Sequence, residues 1–465
     1  MVRDLKYQIV QNKPEIIWIN SKLLEDRIDY DFYSINQIRV VEKLTKVSYR
    51  KLDDLVKAKR SEPQTDSKDF SYDGIDVIRM SDIDDFIIDF SNTVKIPIDI
   101  YENLKEFTLK PNTVIFGLTG VTLGKAVPIS KNIKKCITNR RIAQLEIKDA
   151  FDSFYIATFI NTQYGRSQLF RYSTGVAQPN IRLEDTGEIL VPIPDYDIQK
   201  YIGDKVRKAE ELREEAKRLK KEAEEILNKE LNLKDVEFYI KQTNNKKYSW
   251  TESIEIEDRI DSEFYKPKYR YLSKLNNMSE LSYYYKISKK RINKNIDRKI
   301  KYIDLSSVNN IIEPSDFNTK ELPSRAQFLV KEGNLIISTL KGSNKISIIP
   351  EHLNDSVCST GFIVIASKSH LTTEYLYLVF SNKVFNMQIE RYSTGSIMSG
   401  VNHDNFNKML IPVISNKQII DTITNKIRKH FRLLYYSKQL IQEAKQDVED
   451  LIEGNFDMSK VKANN

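Results

Sequence analysis

The pentapeptide Arg-Tyr-Ser-Thr-Gly occurs twice in this 465-residue chain, at Arg171–Gly175 and Arg391–Gly395, 220 positions apart. Its surroundings repeat in the same order. EDRIDYDFY (Glu25–Tyr33) returns as EDRIDSEFY (Glu257–Tyr265), and Trp18 returns as Trp250 at the same offset of 232. PNTVIF (Pro111–Phe116) is matched by GNLIIS (Gly333–Ser338), and Cys136 precedes Cys358 by 222 positions. ILVPIP (Ile189–Pro194) is echoed by LIPV (Leu410–Val413). The offset drifts because the first copy carries a polar insertion near KAKRSEPQTDSKD (Lys57–Asp69). A unit this long far exceeds the ~20–50-residue period of solenoid repeats, so each copy is expected to be a domain.

Each copy has the same plan. A short helical piece is expected around the RID-x-x-FY opening, then strands at IDVIRM (Ile75–Met80) and IKYIDL (Ile300–Leu305). TVIFGL (Thr113–Leu118) and NLIIST (Asn334–Thr339) follow as further strands. One helical stretch is expected over Asp152–Phe170 and its counterpart over Thr373–Glu390. The pentapeptide ends that helix, its glycine free to take positive φ. Turn chemistry accounts for Ser-Thr-Gly and leaves the arginine and tyrosine unexplained.

A long heptad helix closes each copy. In the first, Ile202, Ala209, Ala216 and Ala223 fall seven apart, with Leu212, Leu219 and Ile226 at the second seam position. In the second, Ile420, Ile427, Leu434, Ile441 and Val448 fall seven apart beside Ile423, Ala444 and Leu451. Lys205 and His430 interrupt the pattern. Helices of about 36 residues are about 54 Å long. Two arrangements satisfy such seams: each helix docked on its own domain, or an antiparallel pair acting as a spacer. Alanine facing bulky aliphatics favours the pair. The expected fold class is α+β, with two tandem domains, each followed by a long helix, and the helices paired with pseudo-twofold symmetry.

Charge narrows the function. The net charge is only +8, but it is clustered. Lys286–Lys301 holds eight basic residues and one acid, and Val121–Leu145 holds Lys125, Lys131, Lys134, Lys135, Arg140 and Arg141 with no acid. One basic region per copy, interleaved with Thr138, Asn139, Gln144, Asn293 and Asn295, points to a polyanion read partly through neutral hydrogen bonds. A solvated surface run is the alternative for each taken alone. No apolar run reaches the ~18 residues of a membrane span, and the opening MVRDLKYQIV lacks a signal-peptide core. Two cysteines at equivalent repeat positions read as inherited twins, so the chain is expected to be cytoplasmic.

Catalytic patterns are missing. His352, His370, His403 and His430 have no metal-ligand spacing with one another or with cysteine. GLTGVTLGK (Gly117–Lys125) resembles a phosphate loop, but Thr119 stands where glycine is needed and Ala126 replaces the required hydroxyl. The acidic run DIDDFIID (Asp82–Asp89) reads as a solvated turn rather than a cation site, because the second copy has Ser307, Asn309 and Asn310 in place of Asp82, Asp84 and Asp85.

Taken together, the RID-x-x-FY openings, the RYSTG turns, the VPIP and IPV turns, and Gln199 and Gln418 inside the long helices resemble a type I restriction–modification specificity subunit. The resemblance runs from about Trp18 to Glu453. It implies a first target-recognition domain over 1–194, a spacer helix over 195–233, a second recognition domain over 234–413, a second helix over 414–454 and a tail over 455–465. It further implies a non-catalytic subunit that reads a bipartite, asymmetric, gapped target in double-stranded DNA. Two DNA adenine methyltransferase subunits would dock on it, joined by restriction (translocase) subunits. No cofactor is expected on the chain itself; S-adenosylmethionine, and ATP with magnesium, belong on the partners.

Candidate DNA contacts are Lys125, Asn139, Arg140 and Arg141 in the first domain, and Lys290, Arg291, Lys294, Lys341, Asn344 and Lys345 in the second. Arg171 and Arg391, present in both copies, are assigned to packing or phosphate contact rather than base choice. Helix pairing is assigned to Ile202, Ala209, Leu212, Ala216, Leu219, Ile420, Ile427, Leu434 and Ile441. A specificity subunit of a fused restriction–methylation system, or a coiled-coil scaffold that does not touch DNA, remain the alternatives.

Overall fold

The computed structural model describes residues 24, 27, 29–62, 65, 67–84, 86–175, 177–243, 250–253, 256, 259–272, 275–395 and 399–462. Trp18, Glu25, Asp26, Ile28, Asp85, Glu257, Asp258 and part of the polar insertion lie outside the described residues. The chain forms two compact units, Met1–Leu212 with Tyr436–Asn465, and Arg213–Tyr435.

In the first unit, an antiparallel sheet runs in the order Val56–Arg60, Ile142–Ile147, Thr113–Gly117, Ala126–Pro128. A second sheet orders Val94–Ile96, Ile75–Ile78 and Cys136–Thr138, the last pair being parallel. A small ribbon pairs Tyr49–Lys51 with Leu190–Pro192.

The second unit repeats this order. Its sheet runs Tyr285–Ser288, Phe362–Ser367, Leu335–Ser338, Ile346–Ile348. Its other sheet runs Ser315–Asn318, Lys299–Ile303, Val357–Ser359, Ala326–Leu329, again with one parallel pair, Lys299–Ile303 against Val357–Ser359. Met278–Glu280 pairs with Leu410–Pro412. Strand Ala326–Leu329 has no counterpart in the three-stranded sheet of the first unit.

The core lies on both faces of the central strands. Successive strand side chains point to opposite faces, so Ile336 and Val364 meet Ile303 and Cys358 of the other sheet. Leu335, Ile337, Ile363 and Ile365 meet Leu376 and Phe380 of the helix Thr373–Ser381. In the first unit, Ile115, Val127 and Ile142 cluster with Ile78 and Cys136 in the same way. Burial pushes each cysteine thiol up to about 12, leaving both as inert core groups.

Two helical expectations change. The stretch Asp152–Phe170 is two helices, Ser153–Asn161 and Gln163–Tyr172, broken at Thr162, whose hydroxyl accepts from the Gly165 amide. A Cβ on Gly165 would lie 2.3 Å from the Phe159 carbonyl oxygen, so glycine permits the tight junction. Asn382 makes the same break before Lys383–Tyr392. The RID-x-x-FY opening is a turn rather than a helix: Asp29 accepts from the Phe32 amide at 3.1 Å, and Asp261 from the Phe264 amide at 3.2 Å. Local aspartate bonds of this kind compete with helix formation.

The long helices span Tyr196–Glu230 and Lys417–Glu453. Ile202, Ala209, Leu212, Ala216, Leu219, Ile420, Ile427 and Ile441 are all buried. Leu434, Ile226 and Leu451 are only half-buried, while Phe431, Ser437, Leu227 and Ile452 occupy inner positions. A strict heptad drifts about 20° per repeat around a straight helix, which moves the seam by one residue. Within the first unit, Lys205 bonds Asp447 and Ser437 donates to the Ala209 carbonyl. Within the second, His430 meets the Ala216 carbonyl and Lys426 pairs with Glu222. In each unit the partner number falls as the first helix advances, so the packing is antiparallel. The two residues that interrupt the seam, Lys205 and His430, are thus satisfied by the opposite helix.

Candidate nucleic-acid interface

The recurring pentapeptide anchors a loop. In the first unit, Leu118–Lys125 links strands Thr113–Gly117 and Ala126–Pro128, turning at Gly120 (φ 64°) and Gly124 (φ 75°). Thr174 of the pentapeptide bridges to Asn180, and Asn180 bridges in turn to Thr119. The Gly120 amide donates to the Pro179 carbonyl at 2.7 Å, and the Ile181 amide to the Leu118 carbonyl at 3.0 Å. In the second unit, Thr394 bridges to Gly400 and Gly400 to Leu340, while the Lys341 amide donates to the Ser399 carbonyl at 3.0 Å. Both loops are therefore held by the segment just after Ser-Thr-Gly. Sequence reading missed Pro179, Asn180, Ser399 and Gly400; the only trace is that Thr174 and Thr394 each lie six residues before the bridging partner.

The candidates divide by burial. Arg140 and Arg141 are exposed at the turn between Cys136–Thr138 and Ile142–Ile147, which Asn139 closes by accepting from the Arg141 amide at 3.2 Å. The Leu118 amide donates to the Arg141 carbonyl at 2.9 Å, so this turn adjoins the glycine loop. Lys125 is half-buried and its ammonium donates inward to the Ile83 carbonyl. Lys134 pairs with Asp76 at 2.8 Å and lies 4.0 Å from the Phe90 ring centroid, and Lys135 lies 4.4 Å from that of Tyr101. The acid-free run is thus partly neutralised by residues outside it. Beside it, Asp82 is buried against Arg79, with Oδ1 3.0 Å from Nη2, so it is not the solvated residue expected. Among the described residues, no group of three His, Cys, Asp or Glu forms a metal site.

In the second unit, Lys290 and Arg291 are exposed on a segment tied to the additional strand. The Leu329 amide donates to the Lys290 carbonyl at 2.8 Å, and Arg291 bridges to Phe328. Lys294 is half-buried and donates to the Pro323 carbonyl at 3.0 Å. Lys341 and Asn344 are exposed on the hairpin turn, Asn344 at φ 49°; Lys345 donates to Asn309 at 2.7 Å. Lys341 lies 3.9 Å from Glu390, a half-exposed pair that leaves its charge available to a stronger anion. The arrangement offers exposed cations and amide groups on braced loops, which suits phosphate and base-edge contact.

Comparison with known proteins finds a family model that matches part of the chain. Residues 45–225 match the model of the type I restriction modification DNA specificity domain. Among solved structures, the chain is similar to the type I restriction–modification system S subunit from M. genitalium, at 14% identity over 88% of this chain and 96% of that one, with a TM-score of 0.43. It is also similar to the HsdS subunit from Thermoanaerobacter tengcongensis, at 11% identity over 88% and 97% of the chains, with a TM-score of 0.29. No curated protein matches. Over residues 45–225 the chain is thus similar to the type I restriction modification DNA specificity domain.

Proposed function

We propose that this chain reads a bipartite, asymmetric DNA target, one part with each recognition domain, and that the paired long helices form a coiled coil fixing the gap between the parts. The observation that carries the reading is the duplicated bracing of a strand-connecting loop by the segment after the RYSTG turn, once in each unit. Two fixed readers require half-sites on a matching helical face, about one turn or ~34 Å apart. Unlike half-sites are expected because the loops differ: the second unit has the additional strand Ala326–Leu329 beside Lys290 and Arg291.

In this reading Lys125, Asn139, Arg140, Arg141, Lys290, Arg291, Lys294, Lys341, Asn344 and Lys345 supply the contacts, the exposed arginines and Lys290 leading. Methyltransferase and restriction subunits dock on the chain and bring S-adenosylmethionine and ATP with them. Selection from random duplex DNA, with the protein taken from its host together with co-purifying subunits, tests this. Two short unlike blocks at a fixed unread gap are expected. Enrichment of nothing would leave a helical scaffold.

A further inference from the structure

We propose that the triad Lys205–Asp447–Lys460, centred on a buried carboxylate and reached by Lys460 from the surface, sets the register of the long-helix pair. The consequence for DNA, that this triad fixes the gap, rests on the reading above. Asp447 Oδ2 lies 2.5 Å from Lys205 Nζ, and its Oδ1 lies 2.9 Å from Lys460 Nζ. The side chains of Asp447 and Lys205 are 3% and 14% exposed, so this is a charge pair inside the seam.

The rest of the seam does not define one register. Ala209, Ala216 and Ala223 are fully buried and fall seven apart. The seam's neutral polar bonds end on the backbone carbonyls of two of them: Ser437 Oγ on Ala209 at 2.9 Å, and His430 Nδ1 on Ala216 at 2.8 Å. A shift of one heptad moves Ser437 to the carbonyl of Ala216 and His430 to that of Ala223. Alanine leaves those carbonyls just as accessible, so both bonds re-form. The solvent-accessible pairs Lys429–Glu215 and Lys426–Glu222, the second half-buried, discriminate less than a buried pair, and after this shift Lys429 finds Glu222 instead.

Asp447 has no such second home. Displaced by seven positions in either direction, it faces Leu212 or Ile198, both buried and apolar, in place of Lys205. An unpaired buried carboxylate is strongly disfavoured, and single buried polar groups are known to specify helix register. The third member comes from the tail. The chain turns at Gly454 (φ 79°), sets the Phe456 ring against Tyr201 with centroids 6.3 Å apart, and buries Val461, which carries Lys460 onto Asp447.

The test uses the full chain with two disulfide reporters. Ala209→Cys with Ser437→Cys reports the native register, and Ala216→Cys with Ser437→Cys reports a one-heptad shift. In the parent, only the first closes intramolecularly. In the double variant Lys205→Met/Asp447→Leu, which replaces the pair with apolar side chains and keeps the helices packed, closure of the shifted reporter is expected to rise at least tenfold. The selected DNA gap is expected to become mixed while the half-sites stay the same. A folded double variant whose shifted reporter stays as open as the parent's overturns the proposal. A parent that selects no two-block DNA instead sinks the reading function, and the reporters still judge the register.

Discussion

Arg171 donates from Nε to the carbonyl oxygen of Phe32 at 3.0 Å, and its guanidinium lies 3.9 Å from the centroid of that phenylalanine's ring. Arg391 repeats both contacts with Phe264, at 3.3 and 4.2 Å. The arginines of the openings answer them: Arg27 donates to the Tyr172 carbonyl and Arg259 to that of Arg391. The two most recognisable motifs of each copy thus clasp each other, which is why they recur together.

Replacing Arg171 with Met removes a buried, charge-assisted bond and strands the Phe32 carbonyl, so unfolding should become easier by about 2–3 kcal/mol. Lys should not rescue it, because a single ammonium cannot bond the carbonyl and lie flat on the ring. Arg391→Met is expected to cost less, its bond being longer and half-buried. Urea titration of the variants checks both. A lowered salt slope of DNA binding with stability intact would instead assign Arg171 to phosphate.

Tyr155 and Tyr375 each donate to the carbonyl of the proline that leads into a long helix, Pro192 and Pro412, both at 2.9 Å. Phenylalanine at either position should cost about 1–2 kcal/mol, nearly equal in the two copies, since the geometry is the same. Unequal losses in denaturant would show that the two copies do not use the bond alike.

His430 gives the fold an acid limb. Burial pulls its imidazole down to about 4, against 6.5 unfolded, with Ala216's carbonyl opposing the change and Lys220 adding to it. Between those values the unfolded chain takes up a proton that the folded chain refuses. Stability should therefore fall as pH falls from about 6.5 to 4, by about 3 kcal/mol. Thermal melts of His430→Leu should lack this share of the acid loss; an unchanged acid limb would place the sensitivity elsewhere.

Arg291→Ala should relax or weaken one half-site only, because its segment is tied to a strand without counterpart among the described residues of the first unit. Arg140→Ala, if it removes one phosphate contact, should reduce the salt slope of binding by about 1. Equal loss at both half-sites for Arg291→Ala would make that residue a support of the fold or a general anchor.

The amino-acid sequence by itself determined the duplication and the two long helices. Repeats and heptads are properties of order along the chain, and order survives without coordinates. The seam could be read to within one residue, and Leu434 was misplaced because a straight helix turns 3.6 residues per turn and not 3.5. Which cations remain exposed was not legible. Lys125 turns inward to Ile83, Lys134 is neutralised by Asp76 and Lys345 is held by Asn309, each partner lying at least 36 positions away in the chain. Nor did the sequence show why RYSTG recurs, since Arg171 finds Phe32 across 139 residues. Charge, burial and hydrogen-bond supply at a side chain depend on what folding brings beside it, and only the tertiary structure decides that.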